Sequence, residues 1–69
     1  MQGKYADAES YVDKGLAIDP NNYIGWGAKG LIAKAKGHKA EAIFDFNKTL
    51  KLNPDDTVAL KALYQLEHP

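Results

Sequence analysis

Apolar side chains recur along this chain at helical spacing, in stretches separated by glycine, proline and amide-rich turns. Ala8, Val12 and Leu16 mark one stripe, and Ala42, Ile43, Phe46 and Leu50 mark another. Intervals of three and four residues put each set on one face of a helix. Gly3 and Gly37 open these two segments, and Pro20 and Pro54 close them. Proline lacks an amide donor and keeps the residue before it out of the helical region. After each proline, Asn21-Asn22 and Asp55-Asp56-Thr57 offer side-chain oxygens to the amides of a following helix. The pattern predicts helices over about 4–18, 22–36, 39–52 and 56–66, with no strand.

The two halves of this pattern are copies of each other. A shift of 34 residues superposes Gly3 on Gly37, Ala6 on Ala40, Ala8 on Ala42 and Lys14 on Lys48. It also superposes Leu16 on Leu50, Pro20 on Pro54 and Ala28 on Ala62. Seven identities in 35 pairs exceed the roughly two that composition alone supplies. Similar residues occupy further positions: Asp7 with Glu41, Ile18 with Leu52, Ile24 with Val58, Trp26 with Leu60.

Within one period stand Trp26-x-x-Lys29-Gly30-x-x-Ala33, then Ala42-x-x-x-Phe46, then Pro54. In spacing this resembles the tetratricopeptide repeat (TPR), a pair of antiparallel helices A and B. Lys29 and Ala33 depart from it, standing where the family usually has leucine and tyrosine. The resemblance implies an all-α antiparallel helix-turn-helix array, an α-solenoid fragment with helices in the order B-A-B-A. Residues 1–22 are then the second half of one repeat, 23–56 a full repeat, and 57–69 the first helix of a next. Helices A and B cross closely, so small residues belong at the crossing (Gly30 against Ala42) and large ones, Trp26 and Phe46, beside it. Gly25 and Gly27 have no such packing reason beyond admitting a neighbour or a ligand. Ala8, Val12 and Leu16 are expected to lie uncovered, awaiting a preceding helix A, and to invite homodimerisation through the first helix or packing within a larger repeat protein. Tyr64 replaces Gly30 in the repeat and is expected to make the last helix a C-terminal cap.

Composition narrows the chemistry. A chain of 69 residues without cysteine has a small core and neither disulfides nor a thiolate metal site to support it. His38 and His68 have no carboxylates arranged beside them, so no metal or other cofactor is expected. Ser10 has no histidine placed to activate it, and no catalytic residue is identified. Glu41 and Asp45 are one helical turn apart and read as an outer-face ion-pair ladder with Lys48. Gly25-Trp26-Gly27-Ala28-Lys29-Gly30 superficially resembles a dinucleotide loop, but no strand precedes it. Nine lysines balance nine acids, with no arginine, which argues against nucleic acid as a partner. No stretch approaches the ~20 apolar residues of a membrane span. The absence of cysteine and of a signal segment leans towards a cytoplasmic setting.

What remains is binding, with the assembly role above, or service as an accessory domain of a larger regulatory protein, as the alternative. The TPR resemblance implies that helices A line a concave face on which a peptide or partner segment lies. On this chain the inward positions are Ile24, Gly27, Ala28, Leu31 and Lys34, followed by Val58, Lys61, Ala62 and Gln65. This mildly apolar surface with two lysines suits a protein segment bearing a hydrophobic anchor and an acidic group. An asparagine-lysine-arginine clamp for a terminal carboxylate is not expected, because Ala28, Val58 and Ala62 occupy those positions.

Overall fold

The computed structural model describes residues 2–68, so Met1 and Pro69, the expected ends of the domain, lie outside it. It consists of helices α1 (Gln2–Ile18), α2 (Tyr23–Ala35), α3 (Lys39–Leu52) and α4 (Thr57–Glu67), with no strand among the described residues. These are the helices that the apolar periodicity predicts, each end within about two residues, the usual ambiguity of helix termini.

Turn chemistry sets the boundaries. Asn22 caps α2 by accepting the Ile24 amide at 3.0 Å, and Asp56 caps α4 by accepting the Ala59 amide at 3.1 Å. Each satisfies one of the amides that a first helical turn leaves free. At the end of α2 the Gly37 amide donates to Lys34 O, and the His38 amide reaches back to Ala33 O. This paired closure needs a left-handed residue, and Gly37 supplies it with φ +78°. Gly37 therefore terminates α2 as well as opening the next segment.

Each helix packs on its neighbours in sequence, giving an up-down array measuring 29 × 27 × 16 Å. The core lies between α2, α3 and α4: Ala33, Ala42, Phe46, Ala59, Ala62 and Leu63, flanked by Ile43, Leu50 and Leu66. Phe46 is fully buried, and its ring lies over Gly30, where an added Cβ would stand 2.8 Å from Cε1. The small residue at the crossing thus receives the phenylalanine ring. Trp26 is half-buried at the edge of this crossing and donates its indole N–H to Pro20 O at 2.8 Å.

One expectation about α1 needs correction. Leu16 is not part of an uncovered stripe: it is buried against α2, where Gly25 has no side chain to oppose it. A Cβ on Gly25 would lie 2.8 Å from Leu16 Cδ2, so Leu16 is the neighbour that this glycine admits. Ala8 and Val12 are half-buried. The apolar side chains that α1 leaves in water are instead Tyr11, 82% exposed, and Ile18, 87% exposed.

Candidate interaction groove

Because neighbouring helices are antiparallel, α2 and α4 run in the same direction on one side of the array. Between their N-terminal halves lies a pocket of about 240 Å³ lined by Tyr23, Ile24, Gly27, Ala28 and Leu31 of α2, with the N-cap Asp56 and Val58 of α4. Ile24, Leu31 and Val58 are large apolar side chains left exposed there. Exposed aliphatic surface facing a concavity costs solubility and contributes nothing to the core, the usual condition of a docking surface.

At the other end of these helices, Lys34 Nζ donates to Gln65 Oε1 at 2.7 Å, joining α2 to α4. Lys61 is exposed and has no ion-pair partner among the described residues. Of the nine positions expected to face a partner, Ile24, Gly27, Ala28, Leu31 and Val58 line the pocket, while Lys34 and Gln65 bridge the helices beyond it. Ala62 differs: it is buried in the core and presents no surface. Sequence reasoning missed Tyr23 and Asp56, both at helix N-termini, where the turn decides which side chain tips into the groove. A wider depression of about 640 Å³ runs along α1 between Glu9, Asp13, Lys14 and Lys36. Its walls carry both signs of charge, and Lys36 is already joined to Glu9.

The acidic pair on α3 also departs from expectation. Glu41 is exposed, but Asp45 is only 2% exposed, and its Oδ2 has no hydrogen-bond partner. Burial pushes the Asp45 carboxyl up to about 6; the Lys29 ammonium opposes this, and Glu41 and Asp13 reinforce it. Lys29 itself bonds Asp13 at 3.0 Å, which holds its ammonium above the ordinary range against partial burial. Lys48 does not complete a ladder: its Nζ lies over the Trp26 ring, 5.7 Å from the centroid. No group of three metal-ligating side chains exists among the described residues.

Comparison with known proteins places this geometry. The tetratricopeptide repeat model matches residues 23–56. A TPR repeat-containing protein of Methanocaldococcus jannaschii is 38% identical over 67 residues, covering 93% of this chain and 20% of the relative. The chain belongs to the tetratricopeptide repeat family. TPR units are protein–protein interaction scaffolds and are not themselves catalytic. In this TPR chain the matched residues contain α2 and α3. The chain spans about a fifth of the length of that relative. No helix of the described residues is long and apolar enough to cross a membrane.

Proposed function

We propose that this chain binds a peptide or partner segment in the groove between α2 and α4. The observation that carries this reading is the apolar pocket under Ile24, Leu31 and Val58, open on the surface while the core is filled elsewhere. A partner's aliphatic or aromatic side chain fills the pocket, and an acidic group beyond it meets Lys61 and Lys34. To reach Lys34, that acid takes the place of the Gln65 amide oxygen. A charge-assisted bond replaces a bond to a neutral amide, so the exchange favours an acidic ligand.

Selection of a displayed peptide library on the 69-residue chain tests this. The expected enrichment is for segments joining a large apolar residue to a nearby carboxylate. Leu31→Asp, or Lys34→Glu with Lys61→Glu, should weaken the selected peptides at least about tenfold, the effect of losing a central contact. The far-ultraviolet circular dichroism should stay unchanged, because these side chains lie outside the core. Binding that survives both changes would remove the groove from the reading.

A second reading rests on α1. Tyr11 and Ile18 are almost fully exposed, and a Cβ on Gly15 would meet nothing within 4 Å. This open flank suits packing against a further helix, in a homodimer or within a longer repeat protein such as the matched relative. Light scattering across a concentration series distinguishes the two readings: a monomer at every concentration removes the homodimer.

A further inference from the structure

We propose that the outer face of α3 around Phe44 is a second docking surface, for a protein segment whose aromatic or aliphatic side chain is flanked by carboxylates. Phe44 is 63% exposed, and the repeat does not require it, because the equivalent residue one period earlier is Ser10. Its aromatic neighbour is Trp26, which meets it edge to face with centroids 6.3 Å apart. The indole is held in place by its bond to Pro20 O and by two ammonium groups, Lys29 Nζ and Lys48 Nζ, each 5.7 Å from the ring centroid. Phe44 therefore projects from a braced aromatic base.

Beside the ring is a hollow of about 280 Å³ lined by Phe44, Asn47, Lys48 and Lys51. Neither Lys48 nor Lys51 has an ion-pair partner among the described residues. The acids of α3 do not neutralise them: Glu41 faces His38 at 3.9 Å, and Asp45 is buried. Here too the other repeat differs, with Asp13 in place of Asn47 and Ala17 in place of Lys51. An exposed ring, an amide and two unpaired ammoniums complement an apolar side chain with acidic neighbours. A polyanion fits less well, because the chain has no net charge and no arginine. This surface shares no residue with the α2/α4 pocket, so it stands or falls independently of the groove.

The probe is a synthetic pentapeptide, acetylated and amidated at its ends, with phenylalanine between two pairs of acidic residues. Trp26 is the single tryptophan, so its fluorescence reports binding at the adjoining ring, and amide shifts in the nitrogen-15-labelled chain locate it. Saturable binding is expected, with shifts centred on residues 44–51. Phe44→Ser, which installs the residue of the other repeat, should weaken it about tenfold, as should Lys48→Glu with Lys51→Glu. Lys4→Glu, on the exposed face of α1 and outside both surfaces, should leave it unchanged. Absence of saturation, equal binding by Phe44→Ser, or shifts centred on Ile24, Leu31 and Val58 would overturn the proposal. So would tighter binding of a short oligothymidylate, which would make the surface a polyanion site.

Discussion

A β-carbon at position 30 would stand 2.8 Å from a fully buried phenylalanine ring, whereas one at position 15 would touch nothing. The two glycines therefore predict opposite signs for the same substitution. Gly15→Ala removes backbone freedom from the unfolded chain and should stabilise by about 0.5–1 kcal/mol. Gly30→Ala gains the same entropy but forces Phe46 from its seat, and overpacking costs about 1–3 kcal/mol. Urea melts of both variants should show the midpoint rising for the first and falling for the second. Gly25→Ala belongs between them, because the atom it meets is the end of a Leu16 side chain that can turn aside. The sequence showed that Gly30 needed to be small, since repeat register alone identifies a helix crossing. It did not identify the neighbour that Gly25 admits, because Leu16 belongs to the preceding repeat and only the packing of α1 on α2 brings the two together. Asp45 was misread for a related reason: its spacing from Glu41 gives the turn separation, but burial depends on the neighbours packed beside it.

Helix positions were legible because prolines, cap residues and apolar spacing act within a few residues of each other. The docking of α1 was not legible, and it differs in kind from the rest of the array. The core cluster is drawn from α2, α3 and α4, and among the described residues α1 adds only Leu16 to the buried side chains. Beside the half-buried Ala8 and Val12, its fastenings include the ion pairs Asp13–Lys29 and Glu9–Lys36, whose side chains are partly exposed. Such pairs are worth about 0–1 kcal/mol and weaken with salt. Native-state amide exchange should therefore show α1 opening at lower free energy than α3. Raising sodium chloride from about 0.05 to about 0.5 M should widen that gap, because screening at the higher strength acts within a few ångströms. Equal protection of both helices, or a gap insensitive to salt, would mean that Leu16 alone fixes α1. The same partial attachment explains why the expected uncovered stripe resolved into two parts, one buried on α2 and one facing water.

At the scale of the whole molecule, balanced charge makes a single buried group conspicuous. With nine lysines against nine acids, general repulsion between like charges is small near neutrality, so pH dependence rests on particular sites. Asp45 lies where α3 carries it in among Lys29 of α2, Glu41 of its own helix and Asp13 of α1. Its folded carboxyl titrates at about 6 against an ordinary value of 3.8. The folded state thus holds the proton more tightly than the unfolded state. The stability this contributes is complete below the ordinary value and is lost as pH rises through about 6. Asp45→Asn keeps the shape and removes the titration, exchanging a buried charge for a neutral amide. Relative to wild type, the variant should therefore gain about 1 kcal/mol between pH 5 and pH 8, in proportion to the displaced titration. Comparing the two chains at each pH cancels the contribution of every group that both retain. Denaturant melts at the two pH values measure this difference directly. A constant difference would show that water reaches the Asp45 carboxylate in solution, and would move the junction of α1, α2 and α3 from a sealed contact to an open one.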